Sequence, residues 1–227
     1  MGSSAGPNIV RSGIVFIVDT ANPRSYPGSG ATWADLSGNL LNATGNASYI
    51  SSIGVTSGVS WSTSTTGILD TDTHSVFLML KLNSNGTYPN GSTGGWEKIF
   101  SYNAGGGDRS PGVWRYPSER RIHWRYDPGN TGVDFGKDAS FSEFYLSTWY
   151  QIGVTKNGAT ALSYVNGINV GSATVANPKT TGTSGIVINE YYTNPLNNVN
   201  FIQIYNRVLS ATEVLRNYNE TKSRFGL

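Results

Sequence analysis

Short stretches that alternate apolar and polar residues run along most of this chain, and Asn-Gly, Gly-Gly and Pro-Gly dipeptides separate them. Glycine and asparagine accept the positive φ angles of tight turns, and a period of two residues puts apolar side chains on one face of a strand. Nine such segments occur with no amphipathic helix between them. They cover residues 13–19, 74–82, 96–102, 112–116, 121–126, 149–156, 161–167, 184–192 and 200–208. The pattern predicts antiparallel sheets that pack face to face.

The length of 227 residues fits one sandwich domain, which we place at 13–227 after an N-terminal arm at 1–12. Stretches at 42–67 and 83–95, rich in Gly, Ser, Thr and Asn, are predicted to be long loops of that domain.

The chain has no cysteine, so disulfides and zinc-thiolate sites are excluded. A net charge of +2 is too small to predict binding to nucleic acid. No apolar run has the length of a membrane span or a signal-peptide core, so we expect neither membrane insertion nor export by a signal peptide.

One helix is predicted at the C-terminus. Ser210 and Glu213 form a capping box, in which each side chain accepts a hydrogen bond from the backbone of the other residue. No helix breaker follows until Gly226, which gives about three turns. We expect Leu215 and Tyr218 to anchor this helix on the sandwich.

The segment WYQIGVTKNGATALSYVNGINVGSA at 149–173 resembles the paired strands of laminin-G-like and concanavalin A-like jelly rolls, in which two Asn-Gly turns lie one strand apart. The stretches 13–43 and 201–227 resemble the beginning and end of a branch of this superfamily found in structural proteins of tailed bacteriophages. The resemblance implies an all-β, antiparallel two-sheet jelly-roll sandwich with one short C-terminal helix.

For function, the resemblance implies a non-enzymatic surface protein of the virion, as a capsid decoration, a fibre or a tail component. Such a protein acts in adhesion to glycans or in reinforcement of the particle, with other virion proteins and cell-surface polysaccharide as partners, and we expect it to be multimeric. Residues 1–12, with Arg11 and Arg24 nearby, are expected to dock on a neighbouring subunit. The alternative is a carbohydrate-binding module of a secreted bacterial surface protein.

Enzymatic activity is not expected. Glycosidases of the concanavalin A-like fold carry the motif Glu-x-Asp-x-x-Glu, which places two carboxylates on one face of a strand. None of the six glutamates has an aspartate two residues later, so hydrolysis by that route is excluded. His74 and His123 have no neighbours that mark a catalytic triad, and we interpret both as ordinary strand residues.

Calcium is the one cofactor that the sequence leaves open, and no metal ligand is assigned. Many relatives of the fold bind Ca²⁺ through oxygen ligands in loops, and the segments 35–39 (Asp-Leu-Ser-Gly-Asn) and 70–72 (Asp-Thr-Asp) offer such oxygens. The competing interpretation is turn chemistry, since Asx side chains in such turns bond their own backbone.

The segment WRYPSERRIHWRY at 114–126 repeats Trp-Arg-Tyr around a turn. A loop with an odd number of residues, such as 117–121, places Trp114, Tyr116, Ile122, Trp124 and Tyr126 on one face of a hairpin. Val113, Arg115, Arg121, His123 and Arg125 then share the other face. We expect this odd register, because a slip of one residue buries arginines. The aromatic face then lies either in the core, with a basic patch outside, or in the open as a sugar platform. The candidate glycan- or partner-binding residues are Trp114, Arg115, Tyr116, Arg121, His123, Trp124, Arg125 and Tyr126.

Overall fold

The structure is a computed structural model, which describes residues 7–45, 50–51, 54–56, 61–62, 67–83, 95–102, 109–117, 119–136, 141–178, 185–188 and 197–227. These residues form sixteen strands, one α-helix and a closing 3₁₀ turn. The strands are β1 (Ile14–Asp19), β2 (Thr32–Trp33), β3 (Ala43–Thr44), β4 (Ile50–Ser51), β5 (Gly54–Thr56), β6 (Trp61–Ser62), β7 (Thr73–Leu82), β8 (Glu97–Tyr102), β9 (Gly112–Arg115), β10 (Ile122–Arg125), β11 (Gly132–Phe135), β12 (Trp149–Asn157), β13 (Thr160–Val165), β14 (Ile168–Thr174), β15 (Ile186–Ile188) and β16 (Asn197–Tyr205). The helix is α1 (Ala211–Thr221), and the 3₁₀ turn covers Lys222–Phe225.

Two sheets make up the fold, and every pairing between the described strands is antiparallel. The first sheet has the order β14-β13-β12-β7-β16-β5-β4, and β1 also pairs with β16. The second sheet has the order β11-β10-β9-β8-β15-β6-β3-β2. The predicted all-β, two-sheet jelly-roll-like sandwich with a C-terminal helix is therefore confirmed.

The main core lies between the two sheets. Fully buried side chains of the first sheet, among them Leu78 and Ile152, belong to the same apolar cluster as Phe100, Ile122 and Trp124 of the second sheet. The alternating pattern of the sequence explains this arrangement, because it supplies one apolar face per strand for burial.

The Asn-Gly turns form where the sequence predicts them. Asn157-Gly158 connects β12 to β13, and Asn166-Gly167, with φ angles of 50° and 79°, connects β13 to β14.

The interpretation of 42–67 as one long loop is wrong, because β3, β4, β5 and β6 lie within it. These strands have only two or three residues, too few to show alternation. Most of the other predicted loop, 84–94, lies outside the described residues.

The helix α1 begins as predicted. Glu213 N donates to Ser210 Oγ (3.3 Å) and Ser210 N donates to Glu213 Oε2 (2.9 Å), which completes the capping box. The predicted anchor is only partly right. Val214 is fully buried against Phe77 and Tyr205 of the first sheet, whereas Leu215 is 39% exposed. One residue along a helix is a rotation of about 100°, so Leu215 points away from that cluster.

The N-terminal segment packs on its own chain. Val10 N donates to Asn217 Oδ1 (2.8 Å), Tyr205 Oη donates to Val10 O (3.1 Å), and Ile9 and Val10 are both buried. Residues 7–12 therefore pack on the domain itself, and docking of residues 1–12 on a neighbouring subunit stays a prediction. Residues 1–6 lie outside the described residues.

Candidate functional site: an aromatic cleft on the second sheet

The hairpin β9–β10 has the even register, so the predicted odd register is wrong. Trp114 pairs with His123, and Tyr116 N donates to Arg121 O (3.0 Å), which leaves four residues, 117–120, in the loop. Directly opposed residues share one face of a sheet. The aromatic residues of the two triplets therefore lie on opposite faces: Trp114 and Tyr116 face outward, whereas Trp124 and Tyr126 are buried in the core.

A buried ion pair makes this register acceptable. Arg115 is fully buried, and Glu97 lies directly opposite it on β8, with Arg115 Nη2 2.8 Å from Glu97 Oε2. The prediction that burial of arginines excludes this register overlooked that partner, which is distant in sequence. Arg115, Trp124 and Tyr126 are inaccessible core residues and cannot contact a glycan. Five of the eight candidates thus remain on the outer side: Trp114, Tyr116, Arg121, His123 and Arg125.

Four rings meet on the outer face of the second sheet. Trp96, just before β8, lies 4.6 Å from Tyr116 and 4.7 Å from His123, measured between ring centroids. The centroid of His123 lies 5.2 Å from that of Tyr116 and 6.0 Å from that of Trp114. Trp114 and His123 are almost completely buried, whereas 44% of the Trp96 surface is exposed. The buried rings of Trp114 and His123 thus form a floor, and the exposed ring of Trp96 forms a wall beside it.

These residues line an open cleft of about 620 Å³. We call it the aromatic cleft, and the described residues that line it are Trp96, Arg109, Trp114, Tyr116, His123 and Asn130. The volume lies in the range of small-ligand sites, and mostly aromatic walls with a few polar groups are typical of them.

A polar network fixes the floor of the aromatic cleft. Asp134 Oδ1 accepts hydrogen bonds from Arg125 Nη2 (2.8 Å) and Tyr116 Oη (3.2 Å), and lies 3.4 Å from His123 Nδ1. On its other side, His123 Nε2 lies 3.1 Å from Asn130 Oδ1. Both ring nitrogens of His123 are thus engaged, which holds the ring in one orientation.

Asp134 is a carboxylate with a depressed pKa. Burial is the largest influence on it and raises the pKa, but the hydrogen bond from His123 and the charge of Arg125 together outweigh burial and lower the pKa to about 2. The pKa of Tyr116 is raised, first by burial and then by the negative charge of Asp134. Asp134 therefore stays ionised and Tyr116 stays protonated near neutral pH.

Gly132 allows β11 to approach this network closely. A Cβ atom at Gly132 would lie 1.9 Å from the backbone oxygen of Trp124 and 2.8 Å from Cδ of Arg125. The absence of a side chain leaves room for Arg125 to cross the strand and reach Asp134.

Two arginines stand over the rings at the edge of the aromatic cleft. The guanidinium carbon of Arg109 lies 5.6 Å from the ring centroid of Trp114, and that of Arg121 lies 4.2 Å from the centroid of Tyr116. Arg121 Nη1 also donates to Glu119 Oε2 (2.7 Å). Cations at these distances are attracted by the electron-rich ring faces, so both side chains are held in place.

Sequence reasoning missed four residues of the site: Trp96, Arg109, Asn130 and Asp134. Trp96 was visible as the first residue of the predicted strand 96–102, and alternation puts it on the face opposite to Glu97. No local pattern marked Arg109, Asn130 or Asp134, because their place depends on the register of β9, β10 and β11.

The candidate calcium ligands have protein partners. Asp35 accepts hydrogen bonds from the backbone amides of Ile17, Ser37 and Leu41 and from the Ser37 hydroxyl, at 2.6–3.2 Å. Asp72 Oδ1 pairs with Lys156 Nζ at 2.5 Å. Among the described residues, no group of three or more His, Cys, Asp or Glu side chains is arranged to hold a metal ion. The expectation of no cofactor, with calcium left open, stays untested.

The described part of the chain contains no helix that is long and apolar enough to cross a membrane.

Outside the aromatic cleft, His74 is fully buried in β7, with its Nδ1 2.9 Å from the backbone oxygen of Thr71. Its position agrees with the interpretation of His74 as a strand residue.

Comparison with solved structures identifies the class of fold. Trypanosoma rangeli sialidase in complex with sialic acid superposes with a TM-score of 0.63 at 14% identity, over 91% of this chain and 32% of that one. The botulinum neurotoxin serotype D binding domain gives 0.63 at 14% identity, over 93% and 53%. The receptor-binding domain of serotype G gives 0.58 at 16% identity, over 92% and 51%. No protein-family model matches the chain, and no curated protein matches it in sequence.

The chain therefore has a lectin-like β-sandwich fold. It spans about a third of the length of the sialidase and about half of the neurotoxin domains. At these identities the likeness concerns the fold alone, and these neighbours include both an enzyme and receptor-binding domains. The fold thus leaves enzymatic activity open, and a function has to be argued from the site.

Proposed function

We propose that this chain is a non-enzymatic carbohydrate-binding domain and that a sugar ring binds in the aromatic cleft. The observation that carries the proposal is the exposed Trp96 ring, whose centroid lies 4.6 Å from that of Tyr116. The apolar face of a pyranose packs on such rings, while its hydroxyl groups bond to polar groups at the edge. Asn130, which lines the aromatic cleft, is such a polar group.

The proposal of a non-enzymatic role has its own support. Glycoside hydrolysis usually requires two carboxylates that flank the scissile bond. Among the described residues that line the aromatic cleft, none is Asp or Glu. The neighbouring carboxylate, Asp134, is occupied by Arg125 and Tyr116 and stays ionised, so it is a poor proton donor.

A glycan array tests this proposal directly. The wild-type protein should retain a defined set of glycans, and Trp96→Ala should weaken their binding about tenfold or more, as expected for loss of a central aromatic contact. Tyr145→Ala is the matched control, because Tyr145 is also an exposed aromatic residue (67%) but does not line the aromatic cleft. Equal binding by wild type and Trp96→Ala contradicts the assignment of the site.

We further propose that the domain acts on the surface of a virion, in adhesion or reinforcement, as one of many copies. The support is the resemblance of 13–43 and 201–227 to structural proteins of tailed bacteriophages. Display in many copies suits a shallow cleft, because multivalent attachment multiplies a modest single-site affinity.

Electron microscopy of particles from the source organism tests this placement. We expect density that fits the sandwich on the particle surface at regular intervals. If the protein is found secreted and not on any particle, the virion placement is wrong, and the carbohydrate-binding module of a bacterial surface protein takes its place.

A further inference from the structure

The cations around the aromatic cleft differ in how they are neutralised. Arg125 Nη2 lies 2.8 Å from Asp134, and Arg121 Nη1 lies 2.7 Å from Glu119. The positive charge of each arginine is therefore neutralised by a carboxylate of the protein. A ligand gains little net attraction from a cation that is already paired.

Arg109 is the exception among the described residues. Its guanidinium lies over Trp114 and has one long hydrogen bond, from Nη1 to the backbone oxygen of Pro128 (3.4 Å). Within the part of the chain that the structure describes, Arg109 forms no ion pair. It is also the one charged residue among the described residues that line the aromatic cleft.

The sign of this charge selects the ligand. A neutral sugar in the cleft removes water from Arg109 without supplying a negative charge, which is unfavourable. A carboxylate replaces that water with a charge-assisted hydrogen bond, and its two oxygens match the planar fork of a guanidinium. Because the described residues give the Arg109 guanidinium one long hydrogen bond, from Nη1 to Pro128 O, its other N–H groups are left for this contact.

We infer that the ligand of the aromatic cleft is a glycan that carries a carboxylate, and that Arg109 binds this group. The inference rests on the proposed function, since it names the class of sugar for the same site. Trp96 and Tyr116 pack against the ring of the acidic sugar, and Arg109 sets its orientation.

The test begins with a glycan array that holds neutral, carboxylated and sulfated glycans. The wild-type protein should retain carboxylated glycans. Arg109→Gln should weaken their binding about 10- to 100-fold, the range expected for one hydrogen bond to a charged group. Arg120→Gln is the matched control, because Arg120 pairs with Glu143 and does not line the cleft. Circular dichroism confirms that both variants are folded.

Methyl esterification of the best-retained glycan provides a second readout. It removes the charge but keeps the sugar ring, and we expect the wild-type protein to lose binding about as strongly as Arg109→Gln does with the free acid. The affinity of Arg109→Lys for the free acid should lie between those of wild type and Arg109→Gln, because a lysine keeps the positive charge but lacks the planar fork of donors.

The outcomes separate this inference from the proposed function. Retention of neutral glycans alone, or equal binding of the acid and its ester, overturns the inference and leaves carbohydrate binding intact. Retention of sulfated glycans alone overturns the assignment to a carboxylate. If the wild-type protein retains no glycan, the proposed function and the inference are both wrong.

Discussion

At Arg115 a full positive charge lies inside the sandwich, in an environment that normally excludes charge. Arg115 Nη2 is 2.8 Å from Glu97 Oε2, and both side chains are almost completely shielded from water. A buried pair of this kind adds little net stability, because each group loses its hydration, but removal of one partner leaves an uncompensated charge. The pair thus favours the observed register of β8, β9 and β10 more than it adds to total stability.

We predict that Glu97→Gln lowers the free energy of unfolding by about 3–5 kcal/mol. The double variant Glu97→Leu/Arg115→Met should regain most of this loss, because it removes both charges at similar volume. Urea denaturation followed by fluorescence measures both. A Glu97→Gln protein within about 1 kcal/mol of wild type contradicts a buried ionic pair.

The low pKa of Asp134 leads us to predict that the protein loses stability in acid. Its pKa is lowered from the model-peptide value of 3.8 to about 2 in the folded protein, so the ionised form stabilises the fold above pH 4. This contribution is lost as the pH falls towards 2. Asp134→Asn should lose less stability than wild type between pH 4 and pH 2.

Urea midpoints at pH 5, 3 and 2 measure this difference. Glu213 also has a pKa of about 2 and is present in both proteins, so the difference between their curves isolates Asp134. Parallel curves for wild type and Asp134→Asn mean that the network around His123 does not contribute.

At the scale of elements, α1 is a short helix that depends on its cap and on one buried residue. The capping box satisfies two backbone amides at its N-terminus. Val214 reaches the small cluster formed by Val10, Phe77, Tyr164, Tyr205 and Leu209 on the outer side of the first sheet. Leu215 and Tyr218 cover the turn at Gly167, where an added Cβ would lie 3.0–3.1 Å from them.

Ser210→Ala should lower the free energy of unfolding by about 1 kcal/mol, the usual value for an N-cap hydroxyl. Ser210→Asp is the matched control, because aspartate also caps helices and adds a charge that favours the helix N-terminus. Thermal melts check both, and a Ser210→Ala midpoint equal to that of wild type shows that the cap does not limit stability.

Val214→Asp should be much more harmful than Leu215→Asp. The first places an unpaired carboxylate in a fully buried position and should cost about 3 kcal/mol or more, whereas the second changes a side chain that is 39% exposed. Chemical denaturation of the two variants decides between them. A larger loss for Leu215→Asp restores Leu215 as the anchor.

Local pattern was enough for nine of the sixteen described strands, the Asn-Gly turns and the capping box, because each of these depends on residues close in sequence. The register of β9 and β10 was not predictable in the same way. It depends on Glu97, which lies 18 residues before Arg115 and pairs with it only after β8 and β9 align. The site followed the same rule: Trp114, Tyr116 and His123 were in the repeated segment, but Trp96 and Asp134 come from neighbouring strands.

At the scale of the whole molecule, the two outer faces of the sandwich differ. The outer side of the first sheet is covered by α1 and by residues 7–12, which contact Tyr205 and Asn217. The outer side of the second sheet holds the aromatic cleft. Within the described residues, the aromatic cleft is open to a ligand, and we propose that this ligand is a sugar held by Trp96.

Nuclear magnetic resonance of the six tryptophan indole N–H groups shows whether a sugar binds at Trp96. The signals can be assigned with single Trp→Phe variants, and the protein is then titrated with the glycan that it retains best. We predict that the Trp96 and Trp114 signals shift in a saturable way, while those of Trp33 and Trp124, which are fully buried in the core, stay in place. Saturable binding that shifts neither the Trp96 nor the Trp114 signal means that the glycan does not bind in the aromatic cleft.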